Sequence, residues 1–123
     1  MEPFASKNVF GGPLKPCSDG PVTGYFRNGR CDTCAEDVGC HTVCVEVTED
    51  FLRFSASVGN DLSTPRPEYG FEGLRPGDRW CVCAMRWLEA IQAGVAAPVA
   101  LASTHARTLE VVPLDLLQVH ATA

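Results

Sequence analysis

Apolar residues recur along this chain at two spacings, and the expected elements follow from them. Over residues 41–47, Val43, Val45 and Val47 alternate with Thr42, Cys44 and Glu46. That is the period of a strand, whose side chains point to opposite faces in turn. From Phe51 the spacing changes to Phe51, Phe54, Ser55 and Val58, with Leu52 widening the apolar stripe. Thr48 in front is an N-cap, Glu49 and Asp50 suit the positive end of a helix dipole, and Gly59 suits the position after the last turn. Further on, residues 79–84 read as a strand. Residues 86–93 read as a helix with Trp87, Leu88 and Ile91 inward, ended by Gly94. Residues 99–103 and 109–112 read as strands, and Pro113 opens a closing helix with His120 in its last turn. Asn28-Gly29 between the short runs 23–27 and 30–33 predicts a type I′ hairpin.

Between Gly59 and Arg79 no period holds for roughly 20 residues, where connections are usually about 4–6. Tyr69, Phe71 and Leu74 give this loop apolar anchors, and Pro65 and Pro67 stiffen it, so it is expected to be packed. Residues 1–22 form an irregular N-terminal arm, and residues 23–123 a single domain. The irregular mix of strands and helices predicts an α+β fold: mostly antiparallel sheet, about three helices and a long packed loop.

At 123 residues the chain can bury a core without cross-links. Its net charge of −5, with basic residues scattered, argues against a nucleic-acid partner. The longest apolar run, residues 95–102, is too short to span a membrane and contains Pro98. No signal-like segment opens the chain, so a soluble, cytoplasmic protein is expected. Seven cysteines, an odd number, are then expected to be free, metal-bound or catalytic rather than paired.

Three groupings carry candidate chemistry. Cys31 and Cys34, with Cys40, His41 and Cys44, supply enough sulfur and imidazole for a tetrahedral zinc site. The plainer reading is small cysteines buried in a core. Cys81 and Cys83 share one face of a strand about 6.5 Å apart, placed to share a ligand or metal, or to pack. In the loop and its flanks, Asn60, Asp61, Ser63, Thr64, Trp80, Arg86 and His105 are candidate ligand contacts. Asn, Asp, Ser and Thr also satisfy nearby backbone in turns, and Arg86 can equally pair with Asp78 or Glu89. A cysteine nucleophile served by His41 or His105 is a further arrangement.

The strings DVGCHTVC at 37–44, GNDLSTP at 59–65 and PGDRWCVCAMRW at 76–87 resemble the bacterial domain of unknown function family 2237. So do GYFRNGRC at 24–31, AGVAAPV at 93–99 and Thr104-His105. The resemblance brings no activity with it. It implies emphasis on Cys17, Cys31, His41, Cys44, Asn60, Asp61, Ser63, Thr64, Trp80, Cys81, Cys83, Arg86 and His105. Cys34 and Cys40 depart from the family pattern, which shifts any shared thiol or metal site towards Cys31, His41, Cys44, Cys81 and Cys83.

Three function classes follow. The first is binding of a small polar ligand where the 59–79 loop meets residues 80–87 and the 41–44 strand, with Trp80 or Trp87 as an apolar wall. The second is a thiol- or zinc-dependent enzyme at the same place. The third is a structural or protein-interaction module with its thiols in the core.

Overall fold

Strand β1 (His41–Glu46) lies antiparallel to β2 (Arg79–Cys83) in the computed structural model, which describes residues 2–122. The register sets Val43 opposite Val82, Cys44 opposite Cys81, Val45 opposite Trp80 and His41 opposite Cys83, with an irregularity between His41 and Val43. Among the described residues these are the only two strands longer than an isolated pair, and three α-helices accompany them: α1 (Glu49–Ser57), α2 (Ala84–Gln92) and α3 (Leu114–Val119). The fold is α+β.

The capping chemistry sets the helix ends. Thr48 Oγ1 accepts from the Phe51 amide at 3.1 Å, and Gly59 follows α1 with φ +83°, where a side chain would be strained. Helix α2 begins directly at the end of β2, with Cys83 as its N-cap residue. Its apolar stripe buries Trp87, whose indole N–H donates to the Ala97 carbonyl at 3.0 Å. Phe51, Leu117, Val43, Val45, Val47, Val99 and Val112 complete the main core.

Both strands are buried on both faces, which a sheet of two strands cannot achieve alone. Irregular segments cover them, and buried threonines replace the missing strands. Thr104 Oγ1 accepts from the Cys44 amide at 3.1 Å and donates to the Ala100 carbonyl. Thr23 Oγ1 accepts from the Cys81 amide at 2.9 Å. The hydroxyls of Thr42 and Thr108 meet at 2.6 Å. Each answers a polar group that would otherwise be orphaned in the core.

Three expected strand regions take other forms. Asn28-Gly29 does turn, with Gly29 at φ +84°, but no hairpin flanks it. The Gly29 carbonyl instead accepts from the Cys17 and Ser18 amides, and Asn28 binds Asp32. At 99–103 the extended chain lasts only through Ala100, pairing Val99 with Val45 and Ala121, before a 3₁₀ turn (Leu101–Ser103). The Thr104–Ala100 hydrogen bond closes that turn. Residues 109–112 fall in and after a second 3₁₀ turn (Ala106–Glu110), steadied by an Arg107–Glu110 ion pair at 3.0 Å.

Against the expectation of unpaired cysteines, four of the seven form disulfides. Cys17 is bonded to Cys44 and Cys31 to Cys81. Each link closes a long loop, 27 and 50 residues apart in sequence, and is worth about 2–4 kcal/mol. They attach a segment without helix or ladder to the two strands, where secondary structure contributes little. The arm ahead of it buries Val9 and Leu14, and the Asn8 side chain accepts from the Phe10 and Gly12 amides.

The arm also covers His105. The ring is buried, its Nδ1 accepts from the Arg107 amide at 3.0 Å, and its Nε2 has no hydrogen-bond partner among the described residues. Burial pushes its pKa below the ordinary value of 6.5, opposed by the nearby Ala5 carbonyl and Asp32 and reinforced by Arg107. The folded chain therefore favours the neutral ring. That contribution to stability is complete above about pH 6.5 and is lost as pH falls below it, where the unfolded chain takes the proton first.

Two predictions follow from this packing. In chemical denaturation Thr48→Ala loses about 1 kcal/mol and Phe51→Ala about 3–5 kcal/mol; an uncapped variant as stable as the parent would contradict the cap. Between pH 7 and about pH 5.5, wild type loses more stability than His105→Gln; equal slopes in the two proteins would contradict a buried neutral ring.

Candidate functional site

A cavity of about 630 Å³ opens beside β2, and four parts of the chain line it. The strand contributes Trp80, Cys81, Val82 and Cys83. The cross-linked segment contributes Gly24, Tyr25 and Arg27. The long loop contributes Asn60, Asp61, Leu62, Arg66, Tyr69 and Phe71. Gly39, His41 and Arg86 complete it.

The loop can form a wall because it closes on itself. Arg66 and Phe71 exchange backbone hydrogen bonds of 2.7 and 3.1 Å around a 3₁₀ turn (Pro67–Tyr69), and the Leu74 amide donates to Leu62 at 2.8 Å. Gly73 makes this closure fit: a Cβ there would lie 2.2 Å from the Ser63 carbonyl oxygen. Asp61 steadies the near end, accepting from the Thr64 hydroxyl and from the Ser63 and Thr64 amides at 2.9 and 3.2 Å. The Thr64 hydroxyl, then those amides, hold its carboxyl below the usual aspartate range. The Thr64 hydroxyl is thus turned to its own loop, and neither Ser63 nor Thr64 lines the cavity.

Aromatic and cationic groups face each other across it. Phe71 and Trp80 pack with ring centroids 5.4 Å apart. The Arg27 guanidinium sits 5.1 Å from the Trp80 ring centroid, a cation–π distance. Arg27 holds this place from a left-handed backbone conformation, φ +53°, which costs a residue with a Cβ about 1–2 kcal/mol. Arg86 is held by the Val58 carbonyl and by Glu89 at 3.3 and 3.2 Å. Tyr25 stacks beside His41 at 6.4 Å.

His41 has a fixed orientation. Asp37 Oδ1 lies 2.7 Å from its Nδ1, and Asp37 Oδ2 accepts from the His41 amide and the Thr33 hydroxyl at 2.9 and 2.8 Å. The buried carboxylate favours a proton on Nδ1 and leaves Nε2 as the basic nitrogen. Gly39 leaves room for the ring; a Cβ there would meet His41 Cε1 at 2.8 Å. Across the ladder from His41 stands Cys83, at the N-terminus of α2. Cys40 lies nearby with its sulfur 3.4 Å from Thr42 Oγ1, and burial pushes its thiol up from the ordinary value, with Thr42 acting in the opposite direction.

Of the residues singled out from the sequence, the cavity gathers His41, Asn60, Asp61, Trp80, Cys81, Cys83 and Arg86. Trp87 is buried in the core and His105 lies under the arm, so neither lines it. The centre built on Cys31, Cys34, Cys40, His41 and Cys44 is not assembled. Cys31 and Cys44 are bonded to Cys81 and Cys17, while the His41 ring belongs to Asp37. Tyr25, Arg27 and Phe71 join the cavity without having been indicated as contacts. A side chain over Trp80 from a turn 53 residues earlier leaves no periodic trace. Asp37, four residues before His41, is the one near neighbour that local spacing could have suggested.

Among the described residues no helix is long and apolar enough to cross a membrane. No curated protein matches the chain. The model of the family described as "Uncharacterized protein conserved in bacteria" (DUF2237) matches residues 7–121, nearly the whole chain, and the protein belongs to that family.

Proposed function

We propose that the cavity beside β2 binds a small anionic ligand with a flat or apolar part. The observation that carries this is the segregation of charge. Three of the ten basic residues, Arg27, Arg66 and Arg86, line the cavity, against one of fifteen acidic residues, Asp61, in a chain of net charge −5. Asp61 is engaged by its own loop, and Arg86 is ion-paired with Glu89. Guanidinium forks suit carboxylate or phosphate, and Trp80 and Phe71 supply an aromatic surface. The cavity volume falls in the ordinary range for small ligands. A cavity of this size with three arginines suits a small molecule better than a nucleic-acid backbone, which needs an extended basic track. We place the protein in the cytoplasm, a reducing compartment in which its two disulfides would have to resist reduction or open.

A second reading makes the site catalytic, and the Asp37–His41 hydrogen bond favours it. A carboxylate that orients an imidazole, with a thiol opposite in the ladder, is the arrangement of base and nucleophile used in acyl transfer. Here Nε2 of His41 would take the Cys83 proton as sulfur attacks an electrophilic carbonyl, then return it to the leaving group.

The binding reading is tested by following tryptophan fluorescence while titrating inorganic phosphate, benzoate, a nucleoside monophosphate and benzamidine. Saturable binding of at least one anion is expected, weakened roughly tenfold by Arg66→Gln or Arg86→Gln, about 1.4 kcal/mol. Equal or tighter binding of the cation benzamidine would sink it. For the catalytic reading, iodoacetamide at neutral pH should label Cys83 ahead of Cys40, and Asp37→Asn should slow that labelling about tenfold or more. Unchanged labelling in the variant would remove His41 as the base.

A further inference from the structure

The four disulfide sulfurs are one cluster rather than two separate links. Sγ atoms of Cys17, Cys31 and Cys81 all lie within 4.8 Å of one another, and the sulfur of Cys44 is bonded to that of Cys17. All four residues are at most 4% exposed, and Ala100 closes the apolar shell around them. The strands explain half of this convergence. The amides of Cys44 and Cys81, paired in the ladder, turn away from each other to Thr104 and Thr23. Theirs is therefore the non-hydrogen-bonded kind of pair, whose side chains come closest, with Cα atoms about 4.5 Å apart. Yet these neighbours are not bonded to each other. Each reaches instead to a cysteine of the segment that covers them.

We propose that Cys17, Cys31, Cys44 and Cys81 form a zinc site when reduced, a single tetrathiolate centre that replaces both disulfides. A tetrahedral ion with zinc–sulfur bonds of about 2.3 Å sets its sulfurs about 3.8 Å apart. Three sulfurs here already lie within 4.8 Å of one another, a limit about an ångström beyond that spacing, and opening both bonds lets them and the Cys44 sulfur spread around one ion. Four protein ligands leave no open coordination position, so the centre is structural.

The chemistry balances in two stages. A dithiol reductant gives two electrons and two protons to each disulfide and is itself oxidised to a disulfide. Four thiols result. Zinc then displaces four protons, leaving four thiolates on one divalent ion. Both states clamp residues 17–31 to the strands, so the Gly24, Tyr25 and Arg27 wall of the cavity is held in each. His41 and Cys83 are outside this set: the His41 ring is held by Asp37, and the Cys83 sulfur is not among the clustered ones.

The test uses the full wild-type chain. It is reduced anaerobically with a phosphine, freed of excess, given zinc and weighed by native mass spectrometry. Reduced samples with and without zinc are then alkylated and mapped by peptide. One zinc per reduced chain is expected, none in the oxidised chain, with zinc-dependent protection at Cys17, Cys31, Cys44 and Cys81. Cobalt in place of zinc should give the intense sulfur-to-metal absorption and tetrahedral bands of four thiolates. Cys34→Ser, Cys40→Ser and Cys83→Ser should each retain the metal. No zinc on the reduced chain, or protection at Cys34, Cys40 or Cys83 in place of the four, overturns the proposal. Since a Cys17→Ser chain that fails to fold decides nothing, the assignment rests on the wild-type protection map and the cobalt spectrum.

Discussion

The Cys44–Cys81 ladder pair is the constraint on which the remainder of the fold depends. Two short strands cannot bury both of their faces, and here one face is covered by chain with almost no secondary structure of its own. What keeps that chain in place is covalent. Cys17 and Cys31 bring the segment between them onto the strands, and the outward amides of the same pair are answered by Thr104 and Thr23. One ladder position thus fixes the irregular cover, the turn at Leu101–Ser103 and one wall of the cavity. Core packing secures the other face through Phe51, Trp87 and Leu117.

Local signals recovered what local physics decides. The alternation over residues 41–47, the Thr48 cap with its following apolar spacing, and the helix carrying Trp87 all appear where expected, because each is set by residues within a few positions. The long loop was legible as packed from Tyr69, Phe71 and Leu74. Leu74 is buried and Phe71 meets Trp80, whereas Tyr69 is largely exposed and serves only as part of the rim.

What was not legible is nonlocal. Asn28-Gly29 satisfies the composition of a hairpin turn, but whether strands flank it depends on Cys17, whose amide takes the Gly29 carbonyl. Residues 99–103 and 109–112 have strand-like composition, yet the Thr104 hydroxyl takes the Ala100 carbonyl, and the Val111 and Val112 amides turn back to the Thr108 carbonyl. Cysteine connectivity lies beyond any local rule, since spacing alone permits many pairings. The close spacing of Cys31 with Cys34 and of Cys40 with Cys44 drew attention to near neighbours, while the bonds formed span 27 and 50 residues. The cavity was legible in part because its strand and loop contributions are contiguous in sequence; the wall from Gly24 to Arg27 was not.

The backbone at Arg27 carries an implication for how this surface can change. A residue with φ +53° sits where glycine is conformationally cheapest, and substitution there by glycine would relax the turn. It would also delete the guanidinium over Trp80. Stability and recognition therefore pull in opposite directions at one position. Drift towards a more relaxed backbone would leave the fold intact while exposing an aromatic face, so a glycine found here in a related chain would mark a cavity with a different electrostatic character.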